Sequence, residues 1–191
     1  SKQARFWASS YEDKRPELTN AQRKMLSHYD NATLYNDSIV AQIVKRFQKQ
    51  DAIVIYVPDH GEECYEENRG FICRNHSAEI DWPLAHYEFE IPFWIYCSPK
   101  YIRNHRDIYR QIRKAKDKRF MTDALPHLLL YLAGIETPTY KEEYNILSPK
   151  YDEMRPRILK NSADYDKLRD AHLEKIKKEE SKKVIKKERR N

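Results

Sequence analysis

Between Asn20 and Gln50, apolar side chains return at intervals of three and four: Met25, Tyr29, Ala32, Ile39, Val40, Ile43, Val44 and Phe47. That spacing lays one stripe along a helix of about eight turns that would pack against a sheet, with Thr19 or Asn20 placed to cap it. The period then changes. Ala52 to Val57 is an almost unbroken apolar, largely β-branched run, the pattern of a strand buried on both faces of a parallel sheet. A second such run, Glu90 to Cys97, has Pro92 near its start and Phe93, Trp94, Ile95 and Tyr96 for burial. Ser98 or Asn104 can open the next helix, about Lys100 to Lys114. Phe120 to Ala133 reads as an apolar helix with Thr122 as cap and Gly134 as stop. Long helices alternating with buried strands predict an α/β fold.

The first strand run is followed by Pro58, which cannot continue a ladder, and Gly61, which permits a sharp reversal, so Asp59 and His60 stand where the strand ends. In open α/β sheets the carboxyl end of a strand is where chemistry is placed. A carboxylate beside an imidazole supplies half of a zinc site, with Glu62 and Glu63 near enough to support it; the plain alternative is a capping Asp and a packed His. From Cys64 to His86 runs a polar loop of over twenty residues carrying two more histidines, His76 and His86. Cys64 and Cys73 have eight residues between them, and in an oxidising compartment they could close a ring worth about 2 to 3 kcal/mol. That spacing is not a zinc-ribbon spacing. Cys97, inside the second strand run, reads as a core thiol.

Several stretches together carry a resemblance. VIYVPDHGEE resembles the metal-binding segment of the alkaline-phosphatase and sulfatase superfamily, most closely that of membrane-anchored phosphoethanolamine transferases, where a strand ends in Ser-Asp-His-Gly-Glu; Pro58 stands here for the Ser. HYDNATLYNDSIV looks like the family helix, through Tyr29, Asn31, Ala32, Tyr35 and Asp37, which are read as structural. EIPFWIYCSPKY and MTDALPHLLLYLAGI resemble the strand and helix that follow, and within the turn-rich Glu136 to Arg157, expected to wrap the outside of the fold, Asn145 to Pro149 followed by Arg155 and Arg157 resembles a family segment that leads to a closing Asp164-Tyr165-Asp166 motif. The resemblance implies an α/β alkaline-phosphatase-like sandwich, with a mostly parallel central sheet flanked by helices and its amino-terminal part missing. It implies Asp59 and His60 as ligands of Zn2+, with a second divalent metal as a variant, and His76 as a catalytic residue facing the phosphoryl group. His86 is the less well spaced substitute, a substrate-binding candidate. The implied reaction moves phosphoethanolamine from a phospholipid donor to a lipid or glycan acceptor through a phospho-threonine. No Thr of this chain stands in the nucleophile's context, so the nucleophile, further ligands and the membrane anchor are expected ahead of Ser1. The implied place is the periplasmic face of a bacterial inner membrane.

Composition narrows the remaining choices. At 191 residues, with a formal net charge of +6, the chain has room for one core of ordinary size. The reading divides it into residues 1–160, the carboxy-terminal portion of a sulfatase-like catalytic domain, and 161–191, a basic helical tail. Lys175 to Asn191 holds nine Lys or Arg against three Glu, so the tail accounts for the whole excess and the body is near neutral. No basic stripe interleaved with exposed aromatics marks a nucleic-acid surface, so nucleic acid is not an expected partner. Two alternatives stand beside the transferase: a sulfatase or phosphoglycerol transferase of the same superfamily, and a non-enzymatic basic binding module. A truncated sheet would also expose apolar surface open to self-association.

Overall fold

The structure is a computed structural model that describes residues 4–73 and 79–188. It divides into two compact units, one of Ser1–Ile55 with Trp94–Arg106, the other of Tyr56–Phe93 with Asp107–Asn191.

In the first unit, α1 runs from Asn20 to Phe47 and begins as the sequence predicts. The Thr19 hydroxyl accepts from the Gln22 amide, while the Gln22 side chain accepts from the Thr19 amide, a reciprocal cap. Asn31 fastens the amino-terminal segment to this helix: its Oδ1 accepts from the amides of Arg5 (2.7 Å) and Phe6 (3.2 Å), and its Nδ2 donates to the Phe6 carbonyl (2.8 Å). Strands β1 (Ile53–Tyr56) and β4 (Trp94–Cys97) pair with each other. Ser98 locks them at one end. Its hydroxyl donates to the Gln50 carbonyl (2.6 Å) and accepts from the Tyr101 amide (3.0 Å), so the same atom joins the strand entrance to the cap of α3 (Pro99–Asn104).

The wide central sheet expected from the sequence is not seen among the described residues. Their strands form three two-stranded sheets, β1–β4, β2–β3 (Glu63–Cys64 with Phe71–Cys73) and β5–β6 (Ile158–Leu159 with Ala163–Asp164). The reason lies in the sequence pattern, which contains only two runs long enough for a central strand. Consequently β1 and β4 are half-buried rather than buried on both faces. The predicted burial of α1 against a sheet fails on the same account. A 28-residue helix is about 42 Å long, whereas a four-residue strand spans about 13 Å. Tyr35, Ile39, Ile43 and Phe47, one helical stripe, stay exposed.

The second unit builds its core from Ile80, Leu84, Ala85, Leu159 and Tyr165, with Trp82, Phe89, Ala163 and Leu168 packed against it. These come from α2 (Trp82–Leu84, continuing as a π turn over Ala85–Phe89), the β5–β6 hairpin and α6 (Tyr165–Glu188). The predicted helix over 100–114 is two helices, α3 and α4 (Arg106–Ala115), because His105 leaves helical geometry at φ −125°, ψ 51°. Helix α5 (Leu125–Ala133) ends on Gly134 at φ 66°, as expected, but Thr122 opens a 3-10 turn instead of capping it. Asn145 to Ser148 does not wrap the outside: all four residues are buried. Asn145 makes this tolerable, accepting from the Leu147 amide (3.1 Å) and donating to the Tyr140 hydroxyl (3.0 Å). No helix among the described residues is long and apolar enough to cross a membrane.

Candidate metal and phosphoryl site

The chain leaves β1 through Pro58 and turns at Gly61, and space, not backbone freedom, demands this glycine. A Cβ there would lie 2.1 Å from the Tyr87 carbonyl oxygen, while the Gly61 amide donates to the Glu88 carbonyl (2.8 Å). Its φ is not in the left-handed region, which among glycines holds only Gly70 and Gly134. Pressed against the π turn in this way, the segment fixes the two residues before it. His60 Nδ1 lies 2.8 Å from the Gly61 carbonyl, which can only accept, so the proton sits on Nδ1. Nε2 stands on the other side of the ring, 3.4 Å from Asp59 Oδ2. The Asp59 side chain is 84% exposed and that of His60 25%.

Both line a cavity of about 840 Å3 built within the second unit. Glu88, Glu90 and Tyr165 stand on its wall, and so do Arg119 and Arg157. Burial pushes Glu90 up, but the hydroxyl of Tyr165 and the imidazole of His86, with Arg157 beyond, outweigh it and hold the carboxyl below its ordinary range. Burial and that same hydrogen bond push the Tyr165 phenol up to about 12.

Of the residues expected from sequence, Asp59 and His60 are brought together with oxygen and nitrogen facing one another. Among the described residues no cluster of three or more His, Cys, Asp or Glu stands ready for a metal, so the pair is half a coordination sphere. The chemistry of the two donors fits zinc, and the Gly61 carbonyl on Nδ1 is the outer hydrogen bond that metal-binding imidazoles use. His76 lies outside the described residues. His86 is not on the cavity wall. Its ring stacks on Trp82 (5.4 Å between centroids), Trp82 in turn stacks on His172 (5.1 Å), and His86 Nδ1 is 2.9 Å from Glu90 Oε1, so it touches the cavity only through that carboxylate. Glu63 does not support the pair: it is fully buried, 2.6 Å from Arg69 Nε, and Arg69 also binds Asp81, the cap of α2. Burial raises the Glu63 pKa although Arg69 opposes it. The β2–β3 register sets Glu63 against Cys73 and Cys64 against Phe71, with the Cys73 side chain outside the described residues.

Sequence reasoning placed Arg157 in a closing segment but missed that it lines the cavity together with Arg119. Arg119 and Arg157 both bind Asp166, the latter through Nη2 at 2.6 Å and Nε at 3.2 Å, and Arg169 is the third arginine on it, with Nη1 at 3.2 Å. Arg157 holds the Asp166 carboxyl below its usual range, Arg119 and Arg169 adding to the effect. Asp164 Oδ1 accepts from the amides of Asp166 and Lys167, capping α6, and the Arg157 guanidinium lies 4.3 Å over the Tyr165 ring. The Asp164-Tyr165-Asp166 motif, singled out in the sequence as a closing segment, is the signal that could have located this cluster.

A comparison with known proteins adds a frame. The sulfatase family matches residues 4–135. Phosphoethanolamine transferase EptC of Escherichia coli strain K12 is 30% identical over 161 residues, covering 80% of this chain and 26% of that protein. Phosphoethanolamine transferase EptA of Helicobacter pylori is 30% identical over 93 residues, 48% of this chain and 17% of that protein. The crystal structure of the C-terminal periplasmic domain of Escherichia coli EptC superposes with a TM-score of 0.65 at 27% identity, over 84% of this chain and 47% of that domain. The complex of that domain with zinc gives the same TM-score over 46% of its length. The chain thus spans about a quarter of the length of the EptC sequence it matches.

Proposed function

Because the chain belongs to the sulfatase family, we propose that it is the carboxy-terminal part of the catalytic domain of a zinc-dependent phosphoethanolamine transferase acting at the periplasmic face of an inner membrane. The observation that carries this reading is the Asp59–His60 pair, Oδ2 and Nε2 3.4 Å apart on the wall of an 840 Å3 cavity, inside the segment that the sulfatase family matches. The solved zinc complex of the similar domain supports the choice of metal. When bound, zinc supplies charge to offset the developing negative charge on phosphoryl oxygens and lowers the pKa of a coordinated hydroxyl. The chain's own part is to present one oxygen and one nitrogen in fixed orientation, with the imidazole tautomer set by the Gly61 carbonyl. His76 would face the phosphoryl group, and His86 would orient Glu90 on the cavity wall. The nucleophile and the remaining ligands belong to the share of the relatives that this chain does not span. The donor is a phospholipid and the acceptor a lipid or glycan.

The test is zinc content and phosphoethanolamine transfer by the gene's full-length product, with Asp59→Ala and His60→Ala measured beside it. Each substitution should lower zinc content and remove transfer by at least about a hundredfold, since each deletes a ligand. Transfer that survives both changes would sink the reading.

A further inference from the structure

The cavity that Asp59 and His60 line is also lined by cations. Lys116, Lys118 and Arg119 reach it from the turn after α4, Arg157 and Lys160 from the β5–β6 hairpin. Like charges lining one cavity repel unless something answers them, and for Arg119 and Arg157, which meet at Asp166, the answer is incomplete. Arg119 and Arg157 share a single carboxylate, Asp166; among the described residues neither has another within ion-pair distance, whereas Arg169 also has Asp170 at 2.8 Å. The Nε of Arg119 is buried and, among the described residues, without a hydrogen-bond partner. Of the carboxylates on the cavity wall, Asp123 is held by both Nη atoms of Arg155 (2.6 and 2.7 Å), Glu90 by Tyr165 and His86 with Arg157 only beyond, and Asp59 faces His60. A guanidinium pair already fixed by Asp166 costs little further ordering when it takes an anion, and the N–H groups that Asp166 does not engage, such as those on Nη1 of each, can donate to the oxygens of a phosphate.

The geometry points to this wall as a binding site for a phosphate group other than the one transferred at Asp59 and His60. The inference rests on the function proposed above and deepens it: the acceptor, a phosphorylated glycan or an anionic lipid, carries a phosphate of its own, gripped by Arg119 and Arg157 and steered in by Lys116, Lys118 and Lys160. The cavity has room for both groups at about 840 Å3, within the range of small-molecule sites. A neighbouring hollow that the same two arginines line, about 10 Å3, has room for one water and no more, so the phosphate belongs in the large cavity.

The experiment titrates the metal-free 191-residue chain, in EDTA, with glucosamine 1-phosphate, and separately with phosphatidylcholine vesicles with or without phosphatidylglycerol. Saturable binding that weakens with added salt is expected in one arm. Sugar-phosphate binding assigns the site to a phosphorylated glycan acceptor, and binding only to the phosphatidylglycerol vesicles assigns it to a lipid headgroup. Arg119→Lys, which keeps the charge and loses the fork, should weaken binding about tenfold. Should that variant melt early by circular dichroism, Lys116→Ala decides the matter, because Lys116 is largely exposed and its loss leaves the fold intact while weakening binding severalfold. No binding in either arm, or binding unchanged in both variants, overturns the proposal. Zinc content of the gene's full-length product, measured as above, separates the two readings: zinc there without phosphate binding by the chain sinks this inference alone, and phosphate binding with no zinc in the full-length product sinks the metal reading alone.

Discussion

Asp59 and Asp166 are carboxylates of the same compact unit, each next to a nitrogen base, and they are used in opposite ways. Asp166 has a side chain 19% exposed, takes three arginines and has its pKa pulled down by them. Asp59 is 84% exposed and faces one imidazole, whose Nδ1 is already committed to a carbonyl. A carboxylate saturated with cations and shielded from water holds structure, because removing it strands buried positive charge. One that is exposed, oriented and under-coordinated adds little to stability, and keeps its lone pairs for a ligand from outside. The difference teaches that charge alone does not separate scaffold from site; saturation and exposure do.

The largest effect that could break this contrast comes from Asp166→Asn. It should lower unfolding free energy by about 3 kcal/mol in urea denaturation, as expected when a partly buried carboxylate is taken from its arginines. A loss below about 0.5 kcal/mol would remove Asp166 from the scaffold. Gly61→Ala comes next. Its methyl would collide with the Tyr87 carbonyl oxygen, so a loss of about 2 kcal/mol is expected, together with weaker zinc uptake as His60 is displaced. Unchanged stability would mean that the close approach to the π turn is not a constraint. The pH dependence sharpens the contrast further. A depressed folded pKa makes Asp166 stabilising above its unfolded value of about 4, and that stability is lost as pH falls through the lower folded value. Glu63 works with the opposite sign, since its raised folded pKa means that protonation favours the fold. Acid denaturation of Asp166→Asn should therefore be shallower than that of the unaltered chain. Smallest of all, Asp59→Asn should change the melting midpoint by less than the equivalent of about 0.5 kcal/mol, even though it removes a proposed zinc ligand.

Much of the local structure could be read ahead of the coordinates because period and punctuation carry it. The three-and-four spacing gave α1, the cap at Thr19 and the C-terminal Gly134 followed from residue type, and the two apolar runs contain β1 and β4. The Asp59–His60 pair was legible for a similar reason: both residues are adjacent in the chain, so no tertiary knowledge was needed to bring them together. Sheet width was not legible, since burial of a strand depends on neighbours its own pattern cannot supply. Nor was the break at His105, in a stretch whose helical pattern runs on either side of it. The cationic wall escaped for the deeper reason that Arg119, Arg157 and Asp166 are 38 and 9 residues apart and meet only once β5–β6 folds back. Asn145 to Ser148 misled in the other direction, because a turn-rich polar segment can be buried when its side chains satisfy its own amides.

Trp82, clasped between the imidazoles of His86 and His172, gives the molecule an internal optical gauge. An indole wedged between two rings loses emission when a neighbouring imidazole gains a proton, and recovers it when α6 swings away. With Trp7 and Trp94 replaced by Phe, the remaining indole fluorescence would report on the seating of α6 on the Ile80–Phe89 segment.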